Sequence, residues 1–258
     1  MNAQRLKLIA MFSMLIDHIG VTLNTLDRYY IVGEDIGSYM SDAFWQLRII
    51  GRLAFPIFAF LVAEGCAHTR DIKAYIKRLF IFALLSQVPY QVVINLVIGN
   101  QNLLNFSGLN VMITLAFGAL AVYFYQFWFK TPSKKILAIL GILGSFLAVI
   151  ILCGEYSYSG ILIILLVYMF RPKCELDPDA QIIGARYLQV FMCALSIGFY
   201  YQLHFPLFSY ETIAAFLVAI PLCLYNGNPG NRKGKLAFYA FYPFHLSLLA
   251  IIMYLVMF

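Results

Sequence analysis

Charge is what this chain lacks. Of its 258 residues only 12% are charged while 62% are hydrophobic, and the mean hydropathy is +0.82. A soluble domain carries about a quarter charged residues and roughly half apolar ones, and a soluble core of this length has no room for so much Leu, Ile, Val and Phe. An ordinary soluble domain is therefore excluded. Cysteine pairing motifs are missing too. Cys66, Cys153, Cys174, Cys193 and Cys223 show no CxxC spacing and read as packing residues, with no disulfide framework and no metal site. There is no P-loop, no HExxH and no GxSxG. No pair of short, Gly/Pro-broken helices recurs in two halves, which argues against an inverted-repeat transporter. The net charge of +6 comes without a basic stripe interleaved with exposed aromatics, so nucleic-acid binding is set aside.

What is present is a series of apolar runs, at about 6–24, 44–66, 75–98, 109–129, 136–153, 157–170, 187–203, 210–225 and 237–257. A helix needs about 20 residues to cross the hydrocarbon, so the expected fold is an all-α polytopic membrane bundle of about nine transmembrane helices. The sixth run is short and Tyr-rich, and it forms either a span or a re-entrant hairpin with the fifth. The first run follows Arg5 and Lys7 and has no small-residue cleavage site, so it reads as a retained span. With nine spans and a cytoplasmic N-terminus, one side collects Arg5, Lys7, Arg70, Lys73, Lys77, Arg78, Lys130, Lys134, Lys135, Arg171, Lys173, Arg186, Arg232, Lys233 and Lys235. The other side has only Arg28, and its first loop carries Asp27, Glu34, Asp35 and Asp42. That bias is the positive-inside pattern. No linker, low-complexity tract or repeat divides the chain, so residues 1–258 read as a single domain.

Ionisable groups within the hydrocarbon are costly and mark candidate sites. His18 lies eleven residues after Lys7, or about 16 Å along a helix, which puts it past the midplane. It is either a histidine bonded between helices or a general base or nucleophile. Asp17 points about 100° away around the helix. Arg48 and Arg52 share a helix face at about the depth of His18 and need a wet cavity, a carboxylate or a phosphate; outer-interface snorkelling is the plainer alternative. Gly51 permits close approach, and Pro56 breaks the second span and frees a mid-depth carbonyl. Glu64 and His68 lie near the basic end, with Lys7 and Arg78 at similar depth, as a basic vestibule for a polyanion or simply as the positive-inside excess. His245 is a second intramembrane histidine, beside Pro243. Gln87, Asn95, Asn110 and Glu155 complete the embedded polar set, which also suits helix-to-helix glue. His204 reads as a surface residue.

Several blocks carry a resemblance: RLKLIAMFSMLIDHIG, RIIGRLAFPIFAFLVAEGCAHTR, LNVMITLAFGALAVYFYQ, EYSYSGIL and AFYPFHLSLL. Over about residues 5–250 the chain resembles the TraX family, whose namesake acetylates the N-terminus of F-type conjugative pilin. It is also similar, more distantly, to the wider class of transmembrane acyltransferases. Many of those carry a basic residue, ten intervening residues and a histidine on the first span. Lys7 and His18 have that spacing here, with lysine where arginine is usual, which removes a bidentate fork.

The resemblance implies a membrane-embedded acyltransferase that moves an acetyl group from cytosolic acetyl-CoA, the co-substrate, to an amine or hydroxyl acceptor. The acceptor is a protein or pilin N-terminus, or an envelope glycan or lipid. His18 matches the catalytic histidine, deprotonating the acceptor or carrying the acetyl group. Arg52 is expected to stabilise an oxyanion or orient a phosphate, and Asp17 to orient the imidazole or hold a helix contact. Lys7, Arg48, Glu64, His68, Arg78, Asn110, Glu155 and His245 are expected around the substrates. No metal is expected, a homo-oligomer is compatible, and a bacterial inner membrane is the implied location. Two rival readings stand beside it: a proton-coupled transporter or channel for a small solute, using the same His, Asp and Arg set, and a structural assembly factor.

Overall fold

Helices fill each of the nine apolar runs. The computed structural model describes residues 1–27, 44–172, 180–204, 209–230 and 235–257; Arg28, Glu34, Asp35 and Asp42 of the first loop, with Lys173, Cys174, Arg232 and Lys233, lie outside them. In chain order the helices are α1 (Ala3–Leu26), α2 (44–51), α3 (Ala54–His68), α4 (Ile72–Val97), α5 (Val111–Lys130), α6 (Lys135–Ile151), α7 (Ser157–Met169), α8 (Ala180–His204), α9 (Tyr210–Phe216), α10 (Ala219–Cys223) and α11 (Lys235–Met257). Five apolar stretches, Ala3–Leu26, Phe44–His68, Ile72–Val97, Val111–Phe129 and Leu236–Met257, are each long and apolar enough to cross a membrane. Large apolar side chains such as Phe12, Ile136, Leu140, Phe199 and Leu255 face outward, where lipid replaces water as the solvent. The chain is a multi-pass helical membrane bundle.

Helix α3 forms its axis. It packs against α1, α5, α7 and α8, and it is buried on nearly every side, from Ala54, Phe55 and Pro56 to Glu64 and Cys66. A helix that is apolar all round belongs in the interior. Helix α6 is the contrast: it buries Ala138, Ser145 and Val149, half-buries Ile142 and Phe146, and leaves most of the remainder exposed, as an edge helix against lipid does.

Two interruptions of regular helix shape the interior. The second span unwinds at Arg52–Leu53, between α2 and α3, one turn ahead of Pro56. Proline lacks an N–H and its ring crowds the carbonyl four residues back, so the disturbance falls on the turn before it. There the Leu53 N–H takes a short-range bond to Ile50 O at 3.3 Å, and the Ser13 hydroxyl of α1 donates to the same carbonyl.

The second interruption is the loop 152–156 between α6 and α7. Cys153, Tyr156 and Ser157 all have positive φ, at 48°, 60° and 44°, a region that non-glycine residues seldom occupy. The reversal is held by Leu109, whose N–H donates to Cys153 O at 3.2 Å while its carbonyl accepts from Glu155 N at 3.0 Å. Helix α7, at 13 residues, spans about 20 Å, less than the about 30 Å of hydrocarbon.

A ladder of amides on α4 satisfies the loop that follows it. Gln87, Gln91 and Asn95 stand at successive turns and are buried. Gln87 Nε2 donates to Gly108 O at 2.9 Å, Gln91 Nε2 donates to Asn105 O, and Asn95 Nδ2 donates to Leu103 O at 2.9 Å. Buried carbonyls without water need such donors.

Candidate active site

Helices α1, α2, α3, α4, α5 and α11 and the loop 152–156 enclose a cavity of about 450 Å³, within the roughly 300–1,000 Å³ of small-molecule sites. At its basic end stand Lys7, Arg78, Tyr75, Tyr239, Leu236 and Phe238; at its deep end stand Asp17, His18, Gly51, Glu155 and Tyr156. The wall between is apolar, with Phe55, Phe58, Leu61, Leu79 and Leu115. Helix α1 is unbroken from Ala3 to Leu26, so Lys7 and His18 lie about 16 Å apart along one axis. Aromatic faces steady the cations at the mouth: Lys7 Nζ sits 5.4 Å from the Phe238 ring centroid, and the Arg78 guanidinium 6.0 Å from that of Tyr75.

The deep end is organised around two adjacent residues of α1 with separate partners. His18 Nδ1 lies 2.7 Å from Nε2 of His245 on α11, whose own Nδ1 lies 2.8 Å from Phe241 O. Asp17 turns the other way, and Arg48 Nη1 donates to its Oδ2 at 2.7 Å. Both members of that pair are mostly buried, with side-chain exposures of 23% and 15%. Gly51 makes the pair possible, because a Cβ there would fall 2.1 Å from Asp17 Oδ1.

Arg52 remains one helical turn from Arg48, its N–H bonded to Arg48 O at 3.2 Å, but it reaches a different neighbour. Its guanidinium lies 5.1 Å from the Tyr201 ring centroid of α8. The Tyr201 hydroxyl is 3.1 Å from that of Tyr156, whose ring stacks on Phe55 at 3.7 Å. Arg52 is not part of the cavity lining; Tyr156 carries its contact there, and its charge also acts on Asp17 and Glu155. Glu155 lines the cavity and faces the N–H of Val111, the first residue of α5.

Of the residues singled out from sequence, Lys7, Asp17, His18, Arg78 and Glu155 line one cavity. Arg48 and His245 stand directly behind Asp17 and His18. Glu64, His68 and Asn110 are not brought to it. Glu64 and His68 do share a face, with His68 Nδ1 2.9 Å from Glu64 O. That face meets α8, where Gln189 Nε2 donates to Glu64 Oε1 at 2.9 Å and Arg186 Nη1 lies 3.3 Å from it. The Arg186 guanidinium also sits 4.9 Å from the Tyr225 ring centroid, inside the bundle rather than in a basic inner loop. Asn110 caps α5, its side chain accepting from Met112 N at 3.0 Å and donating to Gln87 Oε1 at 2.7 Å. His204 is exposed. Asp17 does not touch the imidazole; the contact it makes is to another helix.

Sequence reasoning missed Tyr156, Tyr201, Gln189 and the inward role of Arg186. The usable signal was the Arg-x-x-Gln spacing on α8, which places both side chains on one face. Nothing in the sequence announces the left-handed backbone at Tyr156.

Comparison with known proteins adds a lineage to this geometry. The chain matches the family described as TraX protein over residues 2–253. Among curated proteins, the probable fimbrial assembly protein FimC, serogroup H1, of Dichelobacter nodosus is 29% identical over 263 residues, covering 96% of this chain and 94% of that protein. No solved structure matches. The family match runs from the first residues of α1 into the last helix, across His18, Arg52 and His245, and the chain belongs to the TraX family.

Proposed function

We propose that this protein is a membrane-embedded acyltransferase that moves an acetyl group from cytosolic acetyl-CoA to an amine or hydroxyl acceptor. The observation that carries the reading is the single cavity that joins a cationic, aromatic mouth to a histidine at mid-depth. Acetyl-CoA fits that shape. Lys7 and Arg78 suit its phosphates at the mouth. The apolar wall suits the pantetheine arm, about 15–20 Å long by counting bonds, which matches the distance from Lys7 to His18. The thioester would then lie at the imidazole.

In this reading acetyl-CoA supplies an activated acyl carbon and a thiolate leaving group. His18 takes the proton from the attacking amine or hydroxyl as the new C–N or C–O bond forms. The C–S bond breaks, and the proton passes from the imidazole to the departing sulfur. Arg52 acts through Tyr201 and Tyr156, favouring negative charge at the carbonyl oxygen. The Asp17–Arg48 pair holds α1 and α2 in register beside the reacting atoms. TraX membership and the fimbrial-assembly name of the D. nodosus relative favour a protein N-terminus, such as that of a pilin, as acceptor. The same membership favours a bacterial inner membrane, with the basic end in the cytoplasm.

Binding is the first test. Acetyl-CoA at a hundred times its dissociation constant stabilises the folded state by about 2.7 kcal/mol, so the melting temperature of the purified protein rises. Lys7→Gln with Arg78→Gln weakens that shift. An unchanged melting temperature at millimolar acetyl-CoA would remove the co-substrate and with it this function.

A further inference from the structure

We infer that His245 is a positioning residue that locks His18 in the tautomer with its proton on Nδ1, leaving Nε2 as the basic atom. The inference rests on the acyltransferase reading for its purpose, but its geometry stands alone. A backbone carbonyl can only accept, so the contact from His245 Nδ1 to Phe241 O at 2.8 Å places the proton of His245 on Nδ1. A neutral imidazole has one N–H. His245 Nε2 therefore presents a lone pair, and that lone pair lies 2.7 Å from His18 Nδ1. For two neutral rings one arrangement satisfies both contacts: His18 donates from Nδ1. Its Nε2, on the side of the ring turned away from His245, is then unprotonated.

The packing is built to hold this arrangement. The two rings lie within 11° of parallel with centroids 5.0 Å apart, a spacing that a direct N–H···N contact at 2.7 Å gives. His245 is 3% exposed, with the Phe241 ring stacked at 4.8 Å and the Tyr242 ring at 5.6 Å. His245 does not line the cavity, while His18 does. A histidine left to itself favours the proton on Nε2, the form that cannot accept there; the partner on Nδ1 decides which nitrogen is free. When His18 Nε2 takes the proton of the acceptor, the N–H or O–H bond of the acceptor breaks and an Nε2–H bond forms. The lone pair of His245 stabilises the resulting imidazolium through the bond already in place. The proton then leaves with the thiolate and both rings return to their starting state.

The test reads the tautomer directly. The full chain is labelled with nitrogen-15 histidine and reconstituted in lipid in a His68→Gln, His204→Gln background, leaving two of the four histidines. At a pH where both rings are neutral, both are expected to show the Nδ1–H signature. In His245→Leu, His18 is expected to revert to the Nε2–H form. In His245→Gln, whose side-chain oxygen can accept near the lost Nε2, the His18 signature is expected to persist. Acetyl transfer follows the same order. His245→Leu lowers kcat by on the order of 100-fold with KM for acetyl-CoA little changed, and His245→Gln stays within about tenfold of wild type. A wild-type His18 protonated on Nε2 overturns the inference, as does a His18 tautomer indifferent to His245→Leu, or a His245→Gln as impaired as His245→Leu. If wild type transfers no acetyl group, the acyltransferase reading falls and the tautomer measurement still decides the role of His245.

Discussion

Gly51 shows how little space separates the first two spans. A methyl group at this position would fall 2.1 Å from Oδ1 and 2.4 Å from Cβ of Asp17, so α2 must move off α1 and the Arg48–Asp17 bond must stretch. Gly51→Ala is expected to destabilise the protein by about 1–3 kcal/mol, the usual cost of overpacking, and to disturb the cavity wall it lines. Gly144, on the outward-facing α6, would meet nothing within 4 Å if it carried a Cβ; Gly144→Ala is expected to be neutral or to stabilise by up to about 1 kcal/mol. Thermal unfolding of the two variants in the same detergent makes the comparison, and equal effects would contradict the close packing at Gly51. At this scale the sequence reveals depth but not partners. Counting from Lys7 places His18 past the midplane, and counting along the last span places His245 within it. That the two rings touch depends on which helices are neighbours, across 227 residues of chain, and no local pattern encodes that.

Among the elements, the broken second span was readable because Pro56 carries its own mechanism, although the unwound turn lies at Arg52–Leu53 rather than at the proline. The amide ladder of α4 was half readable. Gln87, Asn95 and Asn110 stand out as polar residues in apolar surroundings, but the bonds they make are largely to the loop 100–110 and to one another, a pairing that only the folded chain fixes. Gln87 is the junction, accepting from Asn110 N at 3.1 Å and from Asn110 Nδ2 at 2.7 Å. Gln87→Leu strands these donors and the Gly108 carbonyl in a buried place, at a cost of about 1–3 kcal/mol. Hydrogen exchange at residues 105–110 should accelerate, whereas Gln101→Leu, on the exposed loop, should leave it unchanged. Similar exchange in both variants would show that the ladder does not hold the loop. The strap 152–156 was readable only in part: a hairpin between the fifth and sixth runs and a substrate-side Glu155 were expected, but the positive φ at Cys153, Tyr156 and Ser157 and the Leu109 bridge, which bring Glu155 to the deep end of the cavity, leave no mark in the sequence.

For the whole molecule, composition was enough to define an all-α membrane bundle, because the cost of charge in hydrocarbon leaves the same mark on every helix. The cavity was legible only as a direction, from the basic end inward. Its walls come from α1, α2, α3, α4, α5, α11 and the loop 152–156, and Glu64 and His68 were misplaced toward it because periodicity cannot say which neighbour a helix face meets. The proposed function depends on one chemical event at its deep end. Purified protein in lipid, given carbon-14-labelled acetyl-CoA and envelope extract, tests it directly, with wild type beside His18→Ala and both free CoA and transferred label followed. The expected result is CoA release and label transfer by wild type, with loss of on the order of 100-fold or more in the variant while its melting temperature is retained. Equal turnover by both proteins would remove His18 from the chemistry, and no turnover by either would contradict the acyltransferase itself and favour a transport role for the same buried histidines.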